Sequence, residues 1–367
     1  MANFCSTFRP AGRWLMHRSE ITLDLDAVRH NARQLIKMVD GAELWAVVKG
    51  NAYGHGAVPV AGAALEAGAR ALCVATLGEG LALRERFPRA RIVVLGPVGP
   101  GSVPAASRAG LECVAHDDAS LEALSGAVEY HIKVNLGLNR YGFDRIPDRL
   151  REQPVGVFGQ FSHAHVDLEV TALQLARFLE QCEAVPRATR HVCNSSAALS
   201  LPAARLDAVR SGSALLGVSL MTNPSSRLPL RPALSWISCL AQVRNLPAGA
   251  AVGYEGAHRV TRPTVTGVVP VGYGDGFVSR LVGTTVLVGD EPATVIGSVS
   301  MDALTVALPR RFPIGTPVTL IGDGLPMESH LRFASMANWE LCTGLSNDPL
   351  RVHRRILNDH SGSLPVS

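Results

Sequence analysis

The sequence is poor in lysine and has no long apolar segment. Lysine accounts for only three of its 35 basic residues, which 31 acidic residues balance to a formal net charge of +4. Because the two charges nearly cancel, the composition does not indicate a nucleic-acid or membrane-surface partner. No apolar run approaches the roughly 20 residues that a membrane span requires. The 367 residues exceed the usual domain size, so we expect two domains.

Paired or metal-binding cysteines are also lacking. The seven cysteines are odd in number, scattered and without a C-x-x-C motif, which predicts reduced thiols and a cytoplasmic protein. His163 and His165 lie two residues apart, but no cysteine or carboxylate with ligand spacing accompanies them, and we predict no metal site. Residues 1–19 carry basic side chains without an apolar core, so we expect a flexible tail and not a signal peptide.

Short apolar runs alternate with stretches of helical composition over residues 20–232. This alternation predicts parallel strands separated by helices, in an α/β barrel of about eight units. An open, doubly wound sheet is the competing topology, which periodicity alone does not exclude. The predicted strands include Leu44–Val48, Ala71–Ala75, Ile92–Leu95, Cys113–Ala115, His131–Val134, Val157–Phe161 and His191–Cys193.

The composition changes near Pro229–Pro232. From Ala233 onward, short runs rich in Val and Thr are separated by turns such as Gly289-Asp290. Such runs are typical of β-strands. We therefore predict a C-terminal, mostly β domain over residues 233–367.

The segment Val48–Gly56 places a lysine at the end of a predicted buried strand. Lys49 follows an apolar run, Tyr53 comes four residues later, and three glycines allow a tight turn. A desolvated lysine with a lowered pKa is a nucleophile that forms imines with carbonyl compounds, which points to a site for pyridoxal phosphate (PLP). A single lysine after a strand more often faces solvent, but the nonamer as a whole favours the site.

This nonamer resembles the PLP-binding segment of the fold-type III alanine racemase family. Further motifs resemble the family in the same order, over roughly residues 20 to 356. The resemblance favours a (β/α)8, TIM-like barrel over the open sheet. It implies a homodimeric, PLP-dependent racemase of a small amino acid, with active sites shared between subunits. Lys49 would be the PLP lysine, and Tyr53 would contact the cofactor phosphate.

A lysine on a predicted strand is followed seven residues later by an arginine. A guanidinium group binds a carboxylate through two hydrogen bonds, so Arg140 at a strand exit suits an amino-acid carboxylate; alone it could as well be a surface residue. The segment resembles the family's KVDTGMxR motif, in which the lysine is often carbamylated and orients the arginine. Lys133 and Arg140 match, whereas Asn135 replaces an aspartate and Leu136 replaces a threonine.

Three further barrel segments resemble cofactor-binding motifs of the family. His163 matches a histidine that stacks on the pyridine ring, and Ser195 matches a serine that binds phosphate. Arg210 matches an arginine bonded to the pyridine nitrogen, while Gly212 and Ser213 occupy positions whose backbone N–H groups contact phosphate. Because arginine does not give up its proton, the ring would be a weak electron sink, which suits rapid reprotonation.

The predicted β domain carries Gly272-Tyr273-Gly274-Asp275-Gly276, which alone would indicate a hairpin turn. It resembles the family's GYADG segment, so Tyr273 would be a catalytic base from the partner subunit, opposite Lys49. The resemblance also implies a Tyr273–His163–Arg210 hydrogen-bond chain that activates the phenol. Met301 lies in a match to the family's CMD turn, which binds the substrate carboxylate. His353 stands where the family has a phosphate-binding tyrosine.

These motifs together predict an alanine racemase with two catalytic bases, Lys49 and Tyr273. A racemase of another small amino acid, such as serine, is an alternative because Asn135, Leu216 and His353 depart from the family pattern. A fold-type III decarboxylase fits less well, because the tyrosine-bearing turn is a racemase feature. A PLP-binding carrier or regulator without catalysis is the third alternative.

Overall fold

The computed structural model describes residues 18–218, 228–336 and 339–359, so most of the expected N-terminal tail lies outside it. The described residues form two compact units. The barrel unit consists mainly of Leu25–Arg231. The sheet unit combines strand β1 (Glu20–Asp24) with Pro232–Asn358.

The barrel unit is built from parallel strands in the orders β4-β3-β2-β10-β9 and β5-β6-β7-β8. A bridge between Val93 and Glu112 joins the two groups on one side, and β8 and β9 are one strand interrupted at Val192 on the other. The predicted TIM-like barrel is therefore confirmed. Its strands are β2 (Glu43–Val47), β3 (Ala71–Val74), β4 (Ile92–Val94), β5 (Cys113–Ala115), β6 (Tyr130–Lys133), β7 (Gly156–Phe158), β8 (Thr189–His191), β9 (Cys193–Asn194) and β10 (Ala208–Ser211).

Helices follow most of these strands, and polar side chains define where several of them begin. Thr76 and Glu79 form a capping box at α4, while Asp167 and Asn194 accept backbone N–H bonds at the starts of α7 and α8. The helices of the unit are α1 (Leu25–Val39), α2 (Lys49–Tyr53), α3 (Ala57–Glu66), α4 (Leu77–Arg86), α5 (Val103–Arg108), α6 (Asp118–Leu124), α7 (Leu168–Cys182) and α8 (Ser195–Ser200).

The sheet unit contains a nine-stranded sheet in the order β12-β15-β18-β17-β16-β19-β11-β1-β20, as expected for a mostly β domain. A separate hairpin pairs β13 with β14, and two short helices, α9 (Met327–Phe333) and α10 (Glu340–Thr343), follow β19. The strands are β11 (Leu234–Cys239), β12 (Gln242–Leu246), β13 (Ala251–Val252), β14 (His258–Arg259), β15 (Thr264–Val269), β16 (Thr285–Val288), β17 (Glu291–Ile296), β18 (Leu304–Leu308), β19 (Pro317–Ile321) and β20 (His353–Leu357).

Strand β1 lies in the sheet unit, although sequence analysis placed residues 20–24 at the beginning of the barrel domain. It pairs antiparallel with β11 and parallel with β20, so it lies between these two strands, next to the edge of the sheet. Its alternating burial suits a strand with one covered face. Across the described parts of the chain, no helix is both long enough and apolar enough to cross a membrane.

Candidate active site

Lys49 follows β2 and Val48 directly, so it lies at the carboxyl end of the barrel strands. This is the end at which active sites of such barrels lie. Burial lowers the pKa of its amine, and the positive charges of Arg140 and Arg210 lower it further, while Glu79 acts in the opposite direction. The amine lies 6.0 Å from the centroid of the Tyr53 ring. Lys49 therefore has the partly desolvated, cationic surroundings that activate a lysine nucleophile.

The backbone after Lys49 forms a left-handed turn. Gly50, Asn51, Ala52 and Tyr53 have φ angles between 51° and 59°, a conformation that costs non-glycine residues about 1–2 kcal/mol each. Glu79 stabilises the turn, because its carboxylate accepts a 2.6 Å hydrogen bond from the backbone N–H of Gly50. The turn thus sets the positions of both Lys49 and Tyr53 within one segment of five residues.

Tyr53, Ser195 and the loop after β10 lie together beside this turn. The hydroxyl of Ser195 accepts bonds from the backbone N–H groups of Gly212 (3.3 Å) and Ala214 (3.4 Å). A Cβ atom on Gly212 would lie only 2.6 Å from the Tyr53 ring, so glycine permits this close approach. Ser213 lies between the two donors. A phenol, a hydroxyl and clustered N–H groups are a donor set that suits a phosphate.

Arg210 lies on β10 and is buried in the barrel. Its Nη1 donates to the ring and carbonyl of His191, and its Nη2 donates to the carbonyl of Gly159 at 2.9 Å and to Gln160 at 3.2 Å. Burial lowers the pKa of its guanidinium, which is nevertheless the most persistent cation among side chains. These acceptors fix the orientation of the guanidinium plane.

His163 follows β7, and its ring is exposed. Its Nδ1 lies 2.7 Å from the hydroxyl of Ser162, which in turn accepts a bond from Gln174. Among the described residues no hydrogen bond joins His163 to Arg210, so this link of the expected chain is not seen. The donors of Arg210 instead meet acceptors on His191, Gly159 and Gln160.

Lys133 and Arg140 lie at the end of β6 and in the loop that follows. Burial, then Arg140, Arg210 and Lys49, lower the pKa of Lys133 to about 8. Asn135 shapes this loop, because its side-chain oxygen accepts bonds from the N–H groups of residues 137 (3.2 Å) and 139 (3.1 Å). The side-chain oxygen of an aspartate could accept the same two backbone bonds, so asparagine can replace the family's aspartate in shaping this loop.

Tyr273 lies in the sheet unit, on a short turn whose backbone is held firmly. Its N–H donates to the carbonyl of Ser300 at 3.0 Å, and the next N–H donates to the carbonyl of Met301 at 3.0 Å. The buried carboxylate of Asp275 accepts bonds from the N–H of residue 272 (2.9 Å) and from Arg351 (3.0 Å). The Tyr273 side chain is 49% exposed on this rigid support, and that of Met301 is 52% exposed.

His353 begins β20, opposite Glu20 in the neighbouring β1. Its Nε2 lies 4.0 Å from the Glu20 carboxylate, so its ring has an acidic neighbour in its own sheet. No group of three or more His, Cys, Asp or Glu side chains in the described ranges is arranged to hold a metal ion.

Two family models match the chain in sequence. The model described as "Alanine racemase, N-terminal domain" matches residues 23–220, and "Alanine racemase, C-terminal domain" matches residues 233–356. The chain belongs to the alanine racemase family. This confirms the resemblance that the motifs indicated.

Individual alanine racemases resemble the chain over nearly its whole length. The alanine racemase of Ligilactobacillus salivarius is 33% identical, covering 90% of this chain and 97% of that protein. Alanine racemase 1 of Bacillus subtilis is also 33% identical, with 92% and 93% covered. The crystal structure of the biosynthetic alanine racemase from Pseudomonas aeruginosa has a TM-score of 0.86 and 33% identity, with 93% and 99% covered.

Several polar residues that support the site were not predicted from the sequence. The Thr76-x-x-Glu79 capping box could have revealed Glu79, since that pattern marks a helix start. Glu112, His131 and His191 are buried in the barrel interior and connect to Arg210. They carry no local sequence signal, because residues on separate strands meet only after the barrel closes.

Proposed function

We propose that the protein interconverts L- and D-alanine with PLP as its cofactor. The position of the Lys49 amine carries this proposal, because it lies at the carboxyl end of the barrel with its pKa lowered by burial and by two arginines. An amine that loses its proton readily is a nucleophile, so Lys49 would be the residue that holds the cofactor through its aldehyde. Membership of the family, and full-length relatives named alanine racemase at 33% identity, support the substrate.

The barrel residues present fit PLP. Tyr53, Ser195 and the N–H groups of Gly212 and Ser213 would hold the phosphate, with Arg210 at the pyridine nitrogen. By the family resemblance, His163 would stack on the ring. His353 stands where the family has its phosphate-binding tyrosine and would replace it as a donor. When bound, PLP supplies an electron-withdrawing ring conjugated to the substrate Cα. Arginine at the nitrogen limits that withdrawal, which favours rapid return of the proton to Cα over side reactions.

Two bases would act from opposite faces of the substrate. Lys49 removes or returns the Cα proton on one face, and Tyr273 of the partner subunit does so on the other. The half-exposed position of Tyr273 on a rigid turn supports such a role at a subunit interface. Arg140 and the backbone near Met301 would bind the substrate carboxylate. The protein would thus be a homodimer, and its buried, unpaired cysteines among the described residues suit the cytoplasm.

The test measures the formation of D-alanine and the exchange of the Cα proton. Purified holoenzyme is incubated with L-alanine in deuterated water, and we expect D-alanine and Cα deuteration. Tyr273→Phe should lower the rate about 10²- to 10⁴-fold, the usual contribution of an acid–base group, while PLP absorbance persists. Tyr254→Phe is the matched control, because Tyr254 is a 72% exposed tyrosine of the same unit. Equal turnover in the Tyr273 variant would refute its catalytic role.

A second candidate is a racemase of another small amino acid, such as serine. It is favoured by Asn135, Leu216 and His353, which differ from the family pattern. Assaying Cα exchange across a panel of L-amino acids distinguishes the two, since the true substrate exchanges fastest. A dimer that binds PLP but exchanges no Cα proton from any of them would indicate a non-catalytic PLP-binding protein.

A further inference from the structure

Four buried side chains form a continuous line of hydrogen bonds through the barrel interior. Glu112 precedes β5, while His131, His191 and Arg210 lie on β6, β8 and β10. Nε2 of His131 lies 2.7 Å from Oε2 of Glu112. Nε2 of His191 lies 2.9 Å from Nδ1 of His131, and Nη1 of Arg210 lies 2.9 Å from Nδ1 of His191. Both histidines are 0% exposed.

The two ends of this line determine where every proton lies. A guanidinium has only donors, so Nδ1 of His191 must accept from Arg210 and its Nε2 must carry the hydrogen. That Nε2–H donates to Nδ1 of His131, whose own Nε2–H then donates to Glu112. A carboxylate has only acceptors, so the direction agrees at both ends. Both imidazoles must therefore be neutral and in the same tautomer.

Arg91 completes the line at its far end. It donates two hydrogen bonds, of 2.6 and 2.9 Å, to the carboxylate of Glu112. Burial alone would raise the pKa of Glu112, but bonds from His131 and Arg91 lower it below its usual value. Burial lowers the pKa of His131; Glu112 opposes this, while the charges of Arg91 and Arg210 reinforce it. The negative charge beside His131 is thus compensated.

The surrounding core is shaped to hold the two rings. Phe158 stacks on His191 with ring centroids 5.2 Å apart, and Trp45 contacts the same ring at 4.5 Å. At Gly156, opposite His131 in the neighbouring strand, a Cβ atom would lie 2.0 Å from Nδ1 of His131. Only glycine leaves room for the bond between the two histidines.

We propose that Glu112, His131 and His191 form a buried relay that positions Arg210, and that Arg91 maintains the relay by keeping His131 unprotonated. A proton on His131 would occupy Nδ1, which must stay bare to accept the bond from His191. The connection to Arg210 would then break. The inference rests on the proposed function only in that Arg210 faces the cofactor ring.

Removing Arg91 tests this relay. In Arg91→Met the Glu112 charge is uncompensated, so the pKa of His131 rises and the relay breaks as the buffer becomes acidic. We expect a new acidic limb in the racemisation kcat, with about a tenfold loss per pH unit, the slope of one proton. The double variant Arg91→Met/Glu112→Gln should lack this limb, because the glutamine oxygen can accept from His131 without a charge.

Arg190→Met is the matched control. Arg190 adjoins His191 in sequence and binds Asp207 through side-chain bonds of 2.9 and 2.7 Å, outside the relay. Its variant should keep the wild-type pH profile. A purely structural role for Arg91 would lower activity evenly at all pH values, and an Arg91→Met profile parallel to wild type would overturn the proposal.

Nitrogen-15 NMR of the histidine side chains of the holoenzyme gives a readout independent of activity. In wild type we expect two neutral Nε2–H imidazoles that do not titrate between mildly acidic and mildly alkaline buffer, with one titrating in Arg91→Met. A titrating or Nδ1–H imidazole at His131 or His191 in wild type would refute the relay even if the variant did not fold. Non-titrating rings in a protein without racemase activity would instead refute the proposed function alone.

Discussion

Lys133 is a buried amine surrounded by positive charge. Its Nζ lies 4.9 Å from the centroid of the Phe158 ring, and its pKa of about 8 leaves part of the amine unprotonated at neutral pH. Carbon dioxide reacts with an unprotonated amine: an N–C bond forms and a proton is released. The resulting carbamate would place a negative charge near the positive charges of Lys49, Arg140 and Arg210, which lowers their mutual electrostatic repulsion.

Carbamylation of Lys133 is therefore expected and can be measured directly. Protein equilibrated with ¹³C-bicarbonate should show a carbamate carbonyl signal that grows as the pH is raised through about 8, because the amine loses its proton there. Lys133→Gln should abolish the signal. The control is Lys37→Gln, which removes an exposed lysine of α1 and should leave the signal unchanged. A signal that persists in Lys133→Gln would assign the carbamate to another amine.

At the scale of elements, the left-handed turn after β2 depends on Glu79. One oxygen of its carboxylate binds the N–H of Gly50 at 2.6 Å, and the other binds the N–H groups of Ala75 (2.8 Å) and Thr76 (3.1 Å). A single side chain thus connects the start of α4 to the segment that carries Lys49. Strained backbone of this kind persists only where its surroundings hold it.

Replacing Glu79 by glutamine should weaken this connection. The glutamine has one acceptor oxygen, so at least one of the three N–H groups loses its partner, and the free energy of unfolding should fall by about 1–3 kcal/mol. Loss of the negative charge should also lower the pKa of Lys49 further, since Glu79 now raises it. Denaturant unfolding measures the first effect. Glu122→Gln, on the exposed side of α6, is the control, and equal midpoints for the two variants would contradict the prediction.

The sequence predicts elements whose residues are neighbours along the chain. The runs Leu44–Val48 and Ala71–Ala75 agree with β2 and β3, because a buried parallel strand is a continuous apolar segment. The left-handed turn was not predictable, since Ala52 and Tyr53 do not favour that conformation, unlike Gly50 and Asn51, and adopt it within the folded protein. The relay was hidden for a similar reason, as its members are separated by tens of residues.

At the scale of the molecule, the sheet unit consists of two separate parts of the chain, and composition predicts the boundary of only the second part. The change near Pro229–Pro232 coincides with the start of the second part of the sheet unit. The first strand could not be assigned in this way, because β1 has the same length and alternation whether it joins a barrel or a sheet. Its partners, β11 and β20, are more than 200 residues away in sequence.

The two proposed bases lie in different units of the chain, which makes the subunit arrangement testable by mixing inactive variants. Lys49→Ala removes the base of the barrel unit, and Tyr273→Phe removes the base of the sheet unit, so each homodimer should be inactive. If Tyr273 acts across a twofold interface, a hybrid dimer contains one site with both bases intact and one site with neither.

Co-expression of the two variants with different affinity tags, followed by tandem purification, isolates the hybrid. We expect about half of the wild-type rate per hybrid dimer, since one of its two sites is complete. The control is the double variant Lys49→Ala/Tyr273→Phe paired with wild type: when Tyr273 acts across the interface, each site of that dimer lacks one base and is inactive. If both bases instead act within one chain, the results reverse, because the first hybrid stays inactive and the control retains one working site.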